Sequence, residues 1–121
     1  MKKSQLDKSS GDEIVWEQGS TNVFADLEMH DAAEKLAKAE LALKINQLIK
    51  LKGYKQAQAA KLLGVDQAKI SLLKRGRLAS FSMERLIKYL NRLAQDIEII
   101  IKPAKKTAHY GSLRVLHGDA V

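Results

Sequence analysis

Residues 56–75 read QAQAAKLLGVDQAKISLLKR, and their spacing decides the fold. Ala60 is small enough to let two helices approach closely. Gly64 allows a sharp turn between them, and Ile70 and Leu73 pin the second helix onto the first. This is the pattern of a helix-turn-helix, whose second helix can enter a DNA major groove. With Ile70 and Leu73 facing inward, a rotation of about 100° per residue turns Ala68, Ser71, Leu72 and Arg75 outward, flanked by Gln67 and Lys69.

Each outward residue type suits a different part of a duplex. Gln67, in the first turn, can bond adenine N6 and N7 together; Ala68 can meet a thymine methyl, and Ser71 can bond several bases. Lys55, Gln56, Lys69, Lys74, Arg75 and Arg77 suit phosphates, and the free N–H groups and dipole at the start of the Gln56 helix add to them. Between Lys50 and Arg77 eight basic residues stand against one acid, Asp66. The plain alternative is a helical hairpin with a solvated basic face. The coincidence of Ala60, Gly64, Ile70 and Leu73 with an acid-poor strip weighs against it.

Outward from this segment, Asp31 and Glu34 form an N-terminal capping pair that predicts a long helix to about Lys52, with Leu41, Ile45 and Leu48 in one row and Gly53 closing it. Asp66 caps the second helix of the motif and Gly76 follows its end. Ser82 opens a fourth helix on which Met83, Leu86, Ile87, Leu90, Leu93 and Ala94 recur at helical spacing. DIEIIIKP at 96–103 changes character: Ile97, Ile99 and Ile101 would share one face of a β-strand. A lone strand is unstable, so it needs EIVWE (13–17) of the same chain or its own copy in a second subunit. The fold expected is all-α with a short C-terminal strand. Its divisions are a flexible acidic segment (1–30), a helix-turn-helix domain (31–95), a dimerisation strand (96–103) and a mobile tail (104–121).

Composition narrows the class. The chain has 121 residues, 45% of them apolar, no cysteine and a formal charge of +7, so disulfide frameworks and thiolate metal sites are excluded and an anionic partner is expected. The charge is uneven. Residues 1–30 hold three basic and six acidic groups, net −3, which leaves +10 for the remainder. The start MKKSQLDKSSGDE lacks an apolar run, and no stretch of about 18 apolar residues occurs, so the cytoplasm is the expected location.

Residues 41–77, and GYKQAQAAKLLGVDQAKISLLKRGR in particular, resemble the Xre family of lambda-repressor-like helix-turn-helix proteins. With NVFADL (22–27) ahead of the long helix and FSMERLIKYLNRLAQDIEIIIKP (81–103) behind the motif, the chain resembles the HigA-type antitoxins, which partner small RelE-like ribonuclease toxins. The resemblance implies a homodimer that binds an inverted-repeat operator, represses its own transcription and neutralises a toxin. Gln56 and Gln67 then become helix-start DNA contacts, and Ser71 with the Lys74–Arg77 edge becomes groove and backbone contacts. The chain departs from that pattern at Lys55, where a capping Thr is usual, and at Glu28-Met29-His30 in place of Gly-Leu-Pro.

Trp16, Val23, Phe24 and Leu27, set among Asp12, Glu13, Glu17, Asp26 and Glu28, form an acidic and apolar mixture suited to a basic toxin surface. His30, His109 and His117 have no acid or second histidine at ligand spacing, and no nucleophile motif or Gly-rich phosphate loop exists. Neither an enzyme nor a cofactor is therefore expected. Two other binding readings stay open. One is a stand-alone or phage-type Xre regulator without a toxin; the other is a nonspecific nucleoid-coating protein, for which Gln67 and Ser71 would be irrelevant.

Overall fold

A computed structural model describes the backbone of residues 17–118 and the side chains of residues 28–118. Four helices follow in order: α1 (Glu17–Leu51), α2 (Gln56–Leu63), α3 (Gln67–Lys74) and α4 (Met83–Arg92). α1 packs along α4, α2 packs on α3, and α1–α3 and α2–α4 contacts join the two pairs. The bundle closes around Ile45, Ile70, Leu73, Phe81, Leu86 and Leu93, all buried. Each such side chain contributes about 1.5–3 kcal/mol by leaving water. Phe81 and Tyr89 meet edge-on with ring centres 6.2 Å apart, which fixes the α3–α4 loop over the core.

The helix ends follow from local chemistry. α1, α2 and α3 are each followed by a glycine in the left-handed region (Gly53, φ 71°; Gly64, φ 74°; Gly76, φ 70°), where a side chain would be strained. The backbone bonds of the first closure run from Tyr54 N to Ile49 O (3.1 Å) and from Gly53 N to Lys50 O (3.1 Å). α4 closes in the same way, Gln95 N donating to Leu90 O at 3.0 Å, but its left-handed residue is Ala94 at φ 65°. Asp66 Oδ1 accepts from Lys69 N at 2.9 Å, and Ser82 Oγ accepts from Arg85 N at 3.0 Å, so both expected N-caps form.

Three expectations need correction. The first helix is already formed at Glu17, where the described residues start, rather than opening at Asp31, because the run through residue 51 is rich in Ala, Leu, Glu and Lys with no proline or glycine to stop it after Gly19. Residues 17–30, read as flexible, are thus helical; residues 1–16 lie outside the described residues. Second, residues 96–103 form no strand: a strand needs a ladder, and among the described residues nothing pairs with it. The intrachain partner EIVWE lies almost wholly outside them. Ile97 is half-buried against the core while Ile99, Ile100 and Ile101 are exposed, so the expected single isoleucine face is divided. Third, the tail read as mobile returns to the body. Val115 packs against the core, and His117 Nε2 lies 3.9 Å from Glu40 Oε1 on α1.

Candidate DNA-binding surface

The short eight-residue helix α3 is held from three directions. Ile70 and Leu73 are fully buried, which fixes which side faces out. At its start, the Gln56 side-chain amide donates from Nε2 to Gln67 O at 2.9 Å, tying the first residues of α2 and α3 together. At its end, Asn46 of α1 donates from Nδ2 to Leu73 O at 3.0 Å, a second bond on a carbonyl that also accepts from Gly76 N at 3.1 Å. The turn between α2 and α3 is clamped from α4, where Arg92 Nη1 donates to Leu62 O at 3.3 Å. A Cβ at Gly64 would come within 3.0 Å of the same nitrogen, so this glycine serves close approach as well as the turn. A favourable charge accompanies the bond: a guanidinium at the carboxyl end of α2 opposes the negative end of its dipole.

Gln67, Ala68, Lys74, Arg75 and Arg77 are exposed on or beside α3, and Ser71 is half-buried at its edge. Of the strip expected to face outward, Gln67, Ala68 and Arg75 are thus exposed and Ser71 partly so, and Lys74 and Arg77, expected beside phosphates, are exposed as well. The only acid within it, Asp66, is engaged as the cap of α3. Arg75 bends back, its Nε 3.4 Å from Ser71 O, which keeps the charge at the C-terminal end of the helix.

Other residues are placed differently from the sequence reading. Leu72 is not an outward contact: it is half-buried against the core, because its position lies near the boundary between the two faces and a leucine there gains by leaving water. Lys69 turns away along the α3–α4 loop, where its ammonium sits 4.9 Å from the centre of the Phe81 ring and 3.3 Å from Ser80 Oγ. Lys55 is exposed at the start of α2, where Gln58 Oε1 accepts from its backbone N–H at 2.8 Å. A lysine side chain has no acceptor with which to return that bond, so only half of a capping box exists. Of the residues assigned to a toxin, Trp16 and the side chains of Val23, Phe24 and Leu27 lie outside the described residues.

The tethers were not read from the sequence. Asn46 sits beside the apolar row Leu41, Ile45 and Leu48, and a polar residue at the edge of a buried row was the available signal. For Arg92 no local signal existed, since its partner carbonyl is 30 residues away. Among the described residues no three His, Asp or Glu side chains gather as metal ligands, and no helix is long and apolar enough to cross a membrane.

Comparison with known proteins agrees with this geometry. The sequence pattern of the family described as a helix-turn-helix domain matches residues 23–102, more than half of the chain. A solved structure of an XRE family transcriptional regulator superposes with a TM-score of 0.68 and 38% sequence identity, covering 73% of this chain and 99% of its own. Among curated proteins none matches. A buried hairpin that presents an acid-poor helix, a family match spanning that hairpin and a solved relative at this identity lead to one assignment: the chain belongs to the Xre family of helix-turn-helix proteins.

Proposed function

We propose that the protein is a sequence-specific DNA-binding transcriptional repressor that acts as a homodimer on an inverted-repeat operator and serves as the antitoxin of a small basic ribonuclease. The observation that carries the DNA-binding part is the exposed strip Gln67, Ala68, Ser71, Lys74, Arg75 and Arg77 on a helix anchored by Gln56 and Asn46. Gln67 and Ser71 read bases, whereas Lys74, Arg75, Arg77 and Lys55 hold phosphates. Gln56 has a dual role: one N–H of its amide is engaged by Gln67 O, and the second N–H and the amide oxygen are left to meet DNA. Lys69 supports the loop after α3 and is at most a secondary phosphate contact.

Substitution separates the two kinds of contact. Gln67→Ala should lose roughly 1–3 kcal/mol of discrimination between operator and random duplex. Lys74→Ala or Arg77→Ala should weaken both DNAs alike and make the salt dependence shallower. Titrations at several salt concentrations read both effects. Equal loss on the two DNAs for Gln67→Ala would instead favour a protein that coats DNA without reading it.

The antitoxin part rests on the resemblance of NVFADL and FSMERLIKYLNRLAQDIEIIIKP to HigA-type chains and, separately, on the fit of the acidic, apolar N-terminal segment to a basic toxin surface, with Trp16, Val23, Phe24 and Leu27 as the anchors. A plain regulator without a toxin is the second reading, favoured by the solved relative's description as a transcriptional regulator. Neutralisation of a neighbouring toxin by the full chain distinguishes them, and deleting residues 1–28 tests the surface assigned to it. The buried residues described on α1 begin at Ala37, so the truncated protein should keep its core and its operator affinity. Neutralisation of a co-expressed neighbouring toxin should be lost, and cell survival with the truncated protein would sink the assignment of that surface.

A further inference from the structure

α1 is apolar on two opposite sides. Ala37, Leu41, Ala42, Ile45, Leu48 and Ile49 are buried in the bundle. On the far side Met29, Ala32, Leu36, Ala39 and Leu43 follow one another at intervals of three, four, three and four residues. The large members of that row are 69% (Met29), 61% (Leu36) and 57% (Leu43) exposed. The 3-4 repeat is the seam of a left-handed helix pair and spans about 21 Å at 1.5 Å per residue. A continuous apolar row of this length on an otherwise charged helix marks a contact surface. The C-terminal tail, which reaches α1 at Glu40, leaves it open.

We infer that this row pairs with the same row of a second copy of the chain, the two α1 helices running antiparallel. The row is sterically complementary to itself. In the antiparallel register that sets Leu36 on the partner's Ala39, Leu43 falls on the partner's Ala32, and two-fold symmetry repeats both pairs. The four layers between residues 32 and 43 then each join one large and one small side chain and fill equally, and Met29 lies beyond the paired stretch. A parallel pair would stack leucine on leucine and alanine on alanine, leaving the alanine layers empty. Parallel pairing has one point in its favour, ion pairs between Lys35 and Glu40 across the seam. Exposed ion pairs contribute little, and Glu40 already faces His117 at 3.9 Å, so packing decides the direction.

The chain has no cysteine, so introduced thiols report on this contact alone, whether or not residues 97–101 also pair. The variant Ala32→Cys/Leu43→Cys should form an interchain disulfide under mild oxidation, because the two positions meet across the antiparallel seam. They cannot join within one helix, being eleven residues, about 16 Å, apart. Met29→Cys alone should stay unlinked. Adding Leu36→Lys to the double-cysteine chain should cut linkage at least tenfold while the circular dichroism of the helices is unchanged, since Leu36 takes no part in the core. Self-linkage of Met29→Cys without linkage of the double variant would overturn the antiparallel register. Absence of linkage in every variant would overturn the pairing itself.

Discussion

Ala94 is the described non-glycine residue with a left-handed backbone, at φ 65°. An L-residue pays roughly 1–2 kcal/mol for that conformation, while glycine there loses about 0.5–1 kcal/mol more backbone freedom on folding. Ala94→Gly should therefore raise stability by up to about 1 kcal/mol, seen as a higher midpoint in urea unfolding with an unchanged slope. A lower midpoint would show that the closure of α4 relaxes without glycine. The sequence offered no hint of this strain, because alanine is the best helix former and Ala94 continues the spacing of Leu90 and Leu93. Lys69 illustrates a similar limit. Its charge was legible, but its direction depends on Phe81, twelve residues further on and folded back beneath it.

The three shorter helices were legible because their ends carry residues with strong local preferences: Asp66 and Ser82 accept the bonds expected of N-caps, and Gly64 and Gly76 adopt the backbone that only glycine takes freely. The start of α1 was not, since Asp31 and Glu34 imitate a capping pair inside an uninterrupted helical run. Residues 96–103 pose the opposite problem. Their isoleucines have strand character, yet a strand exists only with a neighbour, and the single chain supplies none among the described residues. If Ile99 and Ile101 pair with their own copies, Ile99→Lys should loosen the assembly and weaken operator binding, because two linked half-site contacts become independent ones. Sedimentation of variant and parent, free and on DNA, measures this. A parent that is monomeric in both conditions at micromolar concentration removes the strand pairing from the reading.

Across the whole chain, charge alone separates a basic body from a more acidic front, a division visible in composition before any element is placed. The return of the C-terminal residues was invisible at that level, because AKKTAHYGSLRVLHGDAV has no sustained period and touches the body mainly through Val115 and His117. Truncation after Pro103 should consequently cost only about 1 kcal/mol, the share of one half-buried valine, and leave helical circular dichroism unchanged. A loss of several kcal/mol in chemical unfolding would mean that the tail is an integral layer of the bundle. The anchoring of α3 has a thermodynamic consequence. An isolated eight-residue helix would be mostly coil in water, yet here Gln56 and Asn46 hold its two ends and the buried pair Ile70 and Leu73 hold its middle. Its ordering entropy is therefore spent during folding, so calorimetry of operator binding should give a heat-capacity change no larger than the contact area itself explains, with no coupled-folding contribution from α3.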